Sequence, residues 1–157
     1  MNIVYRRATA QDVPVLHRLL VENAANDGGH FAGTEASLMQ HGFGPGPKFR
    51  VVLAERDGET LGLALFFAEY SSWRGSVGAF LQDLYVRPDA RGLGLGRGLL
   101  AAVQRDSADW GGTFLTLMVH PANQNGRGFY AAQGFVLRGE QHWLILEYPA
   151  SGRMMNP

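Results

Sequence analysis

Between positions 91 and 98 the chain reads Arg91-Gly92-Leu93-Gly94-Leu95-Gly96-Arg97-Gly98, directly after an apolar run at 79–86 and directly before a helical pattern. Glycine at every second position removes Cβ atoms where a backbone must approach something closely. The first N–H groups of the following helix point back into such a loop, which makes it an anion site suited to a pyrophosphate. Arg97 falls in the first helical turn, where a cation opposes the helix dipole. A bound pyrophosphate makes the same charge favourable, and Arg91 flanks the loop on its other side. Solvated surface charge is the plain alternative for both arginines, and a ligand-free turn is the plain alternative for the loop. A dinucleotide site on the first strand fits poorly. The loop lies past the middle of the chain, and the positions where a ribose-holding acid belongs offer Asp109 and then Gly111, Gly112 and Thr113.

A second chemical feature stands just upstream. Asp83 is a carboxylate inside an otherwise apolar strand pattern, and buried carboxylates need a partner or a task. Gln82 stands beside it. Strict alternation sends the two side chains to opposite faces, so they serve one pocket directly only if a bulge intervenes. A salt bridge or a turn contact is the alternative for Asp83.

Local elements must position these groups. Residues 3–7 read as a first strand. Thr9 with Asp12 resembles a capping box with Asp in the acidic position, and Val13, Leu16, Leu19, Leu20 and Ala24 recur at helical spacing. Pro14 is tolerable because it falls near the first turn. Asn26-Asp27-Gly28-Gly29 ends that helix, and 34–40 form a short second one. Strands at 49–55 and 60–70 flank Asp57-Gly58, a hairpin turn signal. A loop over 71–78 holds Trp73 and precedes the strand 79–86. The main helix behind the glycine loop runs to about Trp110, 113–120 form a strand, and 123–133 a short helix with Gly134 as its C-cap. Residues 136–137 and 143–146 form a last hairpin. One domain over 1–148 and a tail over 149–157 follow. Helices interleaved with a strand-rich middle give a mixed α/β (α+β) fold, not a regular doubly wound one.

The totals narrow the function classes. Fourteen basic and fourteen acidic residues cancel, which argues against nucleic acid or an anionic membrane as a main partner. No cysteine is present, so thiolate nucleophiles and cysteine metal sites are excluded. The five histidines (His17, His30, His41, His120 and His142) show no paired metal-ligand spacing, so no metal is expected. No apolar stretch approaches membrane-spanning length and the N-terminus lacks a signal-peptide pattern, so the expected setting is cytoplasmic.

Arg91-Gly92-Leu93-Gly94-Leu95-Gly96 behind the strand 81–86 resembles the acetyl-CoA loop of the GNAT family of N-acetyltransferases. Asn123, seven residues before Tyr130, and Phe129-Tyr130-Ala131-Ala132-Gln133-Gly134-Phe135 are similar to that family's late helix motif. A likeness to the diamine (spermidine/spermine) and thialysine branch covers about 4–147. It rests on His41-Gly42-Phe43-Gly44, Val52-Leu53-Ala54-Glu55, Tyr70-Ser71-Ser72-Trp73-Arg74-Gly75 and Leu81-Gln82-Asp83-Leu84-Tyr85-Val86. The resemblance implies a central, mostly antiparallel sheet flanked by helices and splayed after Val86, with acetyl-CoA entering the gap. It also implies an amine substrate, a homodimer and no metal.

The resemblance assigns roles residue by residue. The amides of Gly92, Gly94 and Gly96, within a loop from Arg91 to Arg97 that includes Leu93 and Leu95, take the pyrophosphate. A backbone N–H near Val86, on the stretch Leu84-Tyr85-Val86, stabilises the oxyanion. Asp83 and Gln82, one or both, hold the amine or relay its proton through water. Tyr130 serves the departing sulfur. With reference pKa values of about 10 for a phenol and 8.5 for a thiol, full transfer is uphill by ~2 kcal/mol, so a hydrogen bond is its main contribution. Packing beside Phe129 is the alternative. Asn123 contacts the pantetheine arm or caps the helix that follows, and the two roles can coexist. Trp73 and Trp143 wall an amine pocket by cation–π contact or pack in the core. Glu22 and Asp27 lie in a region the family uses for substrate and read as solvated acids, and His120 reads as a strand-end or interface histidine with proton transfer as a lesser alternative.

There are departures. Ser71, Gln82 and Gln141 stand where polyamine acetyltransferases carry carboxylates, while Asp83 and Glu140 remain. The reading is therefore a small primary amine or an amino-acid side-chain amine rather than spermine. A protein or peptide N-acetyltransferase and a non-catalytic acyl-CoA-binding sensor are the alternatives.

Overall fold

The computed structural model describes residues 2–139. The chain divides into two compact units, Met1–His120 and Pro121–Pro157. The expected domain end at 148, the tail, and strand 143–146 lie outside the described residues, as do Glu140, Gln141, His142 and Trp143.

The first unit is built on one sheet. Strands β1 (Ile3–Arg7), β2 (Arg50–Arg56), β3 (Glu59–Ser71) and β4 (Ser76–Val86) are joined in sequence order by antiparallel pairing, and β5 (Leu115–Leu117) adds to β4 in parallel. The β2–β3 turn places Asp57 at φ 52° and Gly58 at φ 83°. Two successive left-handed residues are what a tight hairpin requires, and Asp-Gly adopts them at low cost. β2 and β3 are buried without alternation over Val51–Ala54 and Thr60–Phe66, because helices cover both faces.

On one face lies α1 (Val13–Asn26). Its stripe of Val13, Leu16, Leu19 and Leu20 packs on Val51, Leu53, Leu63, Leu65 and Tyr85, with Leu38 of α2 (Glu35–Gly42) at the edge. The other face is covered by α3 (Leu95–Asp106), which buries Leu95, Leu99, Leu100, Ala102 and Val103. Beyond α3 a 3-10 turn, Ser107–Trp110, puts the Trp110 ring edge-on to Phe66 at 5.8 Å and under the Arg50 guanidinium at 4.0 Å.

The start of α1 is tied down by charge. Arg6 donates in bidentate fashion to Asp12 at 2.8 and 2.8 Å and reaches Glu55 at 3.0 and 2.6 Å. The Thr9 amide donates to Asp12 Oδ2 at 2.7 Å. These bonds hold the Asp12 carboxyl at about 2, well below its ordinary range, with Arg6 the main cause.

Several element bounds differ from expectation. The main helix ends at Asp106 and finishes to Trp110 in the tighter 3-10 form, because Gly111 (φ 72°) and Gly112 leave nothing to continue it. β4 begins at Ser76, which shrinks the expected 71–78 loop to a tight turn. β5 covers only Leu115–Leu117 of the expected 113–120. Residues 135–139 form no strand, and Val136 and Leu137 are exposed.

The second unit contributes α4 (Gln124–Ala132). Asn123 accepts a hydrogen bond from the Gly126 amide at 2.9 Å and caps it, and Gly134 (φ 92°) follows its end. No helix among the described residues is long and apolar enough to cross a membrane.

Candidate functional site

Pairing between β3 and β4 decides where the strand carboxylate points. Leu65 pairs with Asp83 and Phe66 with Leu81, so Gln82 is an extra residue, a β-bulge. Residues directly opposite share a face. Asp83 therefore lies with Leu65 on the α1 face, while Leu81 lies with Phe66 on the face that holds Trp110. Gln82 is exposed at the bulge. The bulge that the sequence required for Gln82 and Asp83 to serve one pocket is present.

Asp83 is half-buried beneath the last turns of α1, where Asn23 Nδ2 donates to its Oδ1 at 3.2 Å. Burial pushes its pKa above the ordinary carboxylate value. The Asn23 hydrogen bond pulls it back down, and the negative charge of Asp27 pushes it up. Two positions on, Tyr85 is buried, and its hydroxyl donates to Glu22 Oε2 at 3.2 Å. Burial, then the charge and hydrogen bond of Glu22, raise the phenol pKa. Arg91 closes the group: its Nε donates to the Val86 carbonyl and its Nη2 to Asn26 Oδ1, both at 3.1 Å.

The end of α1 thus meets the end of β4 and the start of the glycine loop through Glu22, Asn23 and Asn26. The reading of Glu22 as a solvated acid is revised, since it holds the Tyr85 hydroxyl, whereas Asp27 is exposed as expected. Asn23 and Asn26 belong to no motif. The signal that finds Asn23 is its place three residues after Leu20, where the apolar stripe of α1 continues but the side chain is polar.

The backbone at the end of β4 is also set up for chemistry. The Arg87 amide donates to the Leu61 carbonyl at 2.9 Å, across the Gly62–Val86 pair. That bond makes Gly62–Val86 a wide pair, so the Val86 N–H and C=O point away from β3. The Val86 carbonyl takes Arg91 on that side. β5 pairs with β4 only over Ala79–Leu81, so the Val86 amide, and that of Leu84 in the same phase, face the side where the sheet has opened. Tyr85 directs its amide to β3 and its side chain to α1.

The glycine loop divides into two functions. Gly92 (φ 80°) and Gly94 (φ 78°) are left-handed, and a Cβ on either would meet nothing within 4 Å. They shape the loop and leave open space before it. Gly94 is the N-cap of α3 and has no side chain to satisfy the helix start. The first helical bond runs from the Gly98 amide to the Gly94 carbonyl, so the amides of Leu95, Gly96 and Arg97 lack intrahelical acceptors. Gly98 makes its close approach to protein instead, because a Cβ there would collide with the Tyr5 ring on β1. Leu95 is buried and anchors the helix, whereas Leu93 and Arg97 are exposed. Free amide donors, an unobstructed approach and two nearby guanidinium groups fit the pyrophosphate of a coenzyme A thioester.

Other candidates stand apart. Trp73 is fully exposed in the turn between β3 and β4, which excludes core packing, and Asp83 lies toward the other end of β4. Within the second unit, Asn123 is the α4 cap, and the Tyr130 ring lies edge-on between Phe129 at 5.2 Å and Phe135 at 5.5 Å.

Comparison with known proteins places this architecture. The chain is 30% identical over 153 residues, 91% of its length, to spermidine/spermine N(1)-acetyltransferase-like protein 1 of Homo sapiens, of which it covers 22%. It is 32% identical over 109 residues to the thialysine N-epsilon-acetyltransferase of Bos taurus, a match covering 64% of each. The chain thus spans about a fifth of the first relative and just under two thirds of the second. In fold it resembles the structure of AAC(6')-Iy in complex with a bisubstrate analog, CoA-S-monomethyl-acetylneamine. There the TM-score is 0.81 at 19% identity, over 94% of this chain and all of that one. The profile of the Acetyltransferase (GNAT) family matches residues 16–135. That match runs from within α1 past the end of α4, and on this ground the chain belongs to the acetyltransferase (GNAT) family.

Proposed function

We propose that the chain is an acetyl-CoA-dependent N-acetyltransferase that acetylates a primary amine of a small molecule of thialysine or diamine kind. The observation that carries this reading is the end of β4. Within one unit, a half-buried carboxylate, an outward-facing backbone amide and an open glycine-started helix follow one another from Asp83 to Leu95, with Arg91 tying the Val86 carbonyl to the end of α1.

Bound acetyl-CoA would supply an acetyl group activated as a thioester. Gly92, Gly94 and Gly96, with Arg91 and Arg97, hold its pyrophosphate. The Val86 amide donates to the carbonyl oxygen as negative charge grows there, and its fixed direction in the strand spares the cost of reorganisation. Asp83 holds the ammonium form of the amine and passes a proton to water. Gln82, exposed on the bulge, lends a neutral hydrogen-bonding group beside it. The family resemblance assigns Tyr130 to the departing sulfur and Asn123 to the pantetheine arm, and Asn123 also caps α4. A single carboxylate between Gln82 and Leu84 suits a small amine better than a long polycation. Trp73, fully exposed, is available to a second copy in the homodimer that the family resemblance implies, in a cytoplasmic setting.

Free-thiol release from acetyl-CoA, measured against thialysine, lysine, short diamines, spermidine and short peptides, tests the reading. Turnover with thialysine or a short diamine is the expected result. Preference for peptides would move the reading to a protein N-acetyltransferase. Acetyl-CoA binding without release for any amine would make the chain an acyl-CoA sensor.

A further inference from the structure

Asp83 is not held by its own strand. Its Oδ1 takes the Asn23 amide of α1 at 3.2 Å, and among the described residues its Oδ2 takes no hydrogen bond. No polar side-chain atom among the described residues is both buried and unpartnered, so Oδ2 keeps access to solvent. The carboxylate thus has one oxygen fixed and one presented.

The groups around it favour the neutral acid. On α1, Asp27 adds negative charge and Glu22 is engaged with the Tyr85 hydroxyl. β3 offers the apolar Leu65 opposite. Of the cations on the adjoining elements, Arg91 bonds the Val86 carbonyl and Asn26, Arg87 pairs with Glu59 and Asp89, and Arg18 pairs with Glu22 at 3.9 Å. Asn23 is thus the donor that supports the charged form, since a hydrogen bond to the ionised oxygen favours ionisation.

We propose that Asn23 is a positioning residue that sets amine recognition: its side-chain amide fixes Asp83 Oδ1 and so orients the carboxylate with Oδ2 presented to the substrate ammonium. The proposal rests on the reading of Asp83 as the amine-holding group. Asn23 touches neither substrate nor coenzyme and acts through Asp83.

The test uses Asn23→Leu, close in shape without a donor, and Asn23→Ala, which removes the side-chain amide without adding charge. Asn23→Gln serves as the conservative variant. Carboxyl-carbon NMR titration of Asp83 in the free protein, assigned by its loss in Asp83→Asn, reads ionisation without turnover. Loss of the donor is expected to raise the Asp83 titration midpoint by about one pH unit. The acid limb of kcat/KM for the amine should move up with it, and the substrate's own ionisation cancels when one amine is used throughout. KM for the amine should rise roughly tenfold with KM for acetyl-CoA unchanged, and Asn23→Gln should recover part of both effects. An unshifted titration and amine KM in folded Asn23→Leu or Asn23→Ala would overturn the proposal. If Asp83→Asn itself leaves amine kcat/KM intact, the reading of Asp83 fails and this proposal with it. If Asp83→Asn is damaging while both Asn23 variants are silent, only the proposal fails.

Discussion

Two helices in this chain begin in opposite ways. α4 closes its own start, with the Asn123 side chain accepting from the Gly126 amide at 2.9 Å. A Cβ on Gly126 would press on the Asn123 amide, so that glycine serves the cap. α3 begins with Gly94, left-handed and without a side chain, and its first amides stay free. α2 sides with α4, since Thr34 accepts from the Ser37 amide at 3.0 Å. The chain supplies capping side chains elsewhere, so the open start of α3 is a local property of the glycine loop. A helix that satisfies its own amides is stabilised from within, whereas one that leaves them free is completed by an external anion.

Four substitutions probe this contrast, and the largest effect is expected at Gly94. Gly94→Glu puts bulk and negative charge at the anion site and a side chain on a left-handed residue. Acetyl-CoA affinity should fall at least 100-fold, roughly 3 kcal/mol, and calorimetry showing unchanged affinity would remove the anion reading of α3. Next comes the self-contained start of α1. The Asp12 carboxyl sits at about 2 against an ordinary 3.8. A depressed pKa contributes stability that is complete above the unfolded value and is lost as pH falls through the folded one. The contribution is at most about 2 kcal/mol, with some screening because Arg6 is partly exposed. Urea melts from pH 5 to 2 should show this loss in the parent protein, and Asp12→Asn should flatten it.

Asn123→Ala should cost about 1 kcal/mol of stability through the lost cap. Thermal melts and acetyl-CoA titration together sharpen the comparison. If affinity falls well beyond the stability loss, Asn123 also touches the coenzyme; if only the melt moves, it is a cap alone. The smallest effect, with the most informative sign, belongs to Arg97. In the free protein, Arg97→Gln removes a cation from the positive end of α3 and should stabilise it by a few tenths of a kcal/mol. The same change should weaken acetyl-CoA binding severalfold. Unchanged or raised acetyl-CoA affinity in Arg97→Gln would mean that no anion sits at that helix start.

How far the sequence carries is seen residue by residue. Asp57-Gly58 announces its turn because the two left-handed conformations it needs are local properties of those residues. The Thr9–Asp12 start and the Asn123 cap are legible for the same reason, as each bond closes within a few residues. The bulge at Gln82 is different. It exists only relative to β3, as one surplus residue between two pairings, and nothing in the run Leu81-Gln82-Asp83 states how many residues lie opposite. Asn23 is hidden likewise, because its partner is on a distant strand. The double use of the alternate glycines also escapes local reading. Gly94 faces open space and Gly98 faces Tyr5, yet both read as members of one loop pattern.

The surplus residue in β4 also bears on how this chain can change in length. Every residue of β4 before the bulge is seated on one phase of the pleat and every residue after it on the other. A chain one residue shorter at position 82 would pair Leu81 with Phe66 and Asp83 with Leu65 in unbroken alternation, so Ala79 and Leu81 keep one face and Asp83 and Tyr85 the other. Loss of a residue elsewhere in 79–85 with the bulge kept would instead turn one half of the strand over. Position 82 is thus where β4 can lose a residue at the cost of the bulge and its local bend alone.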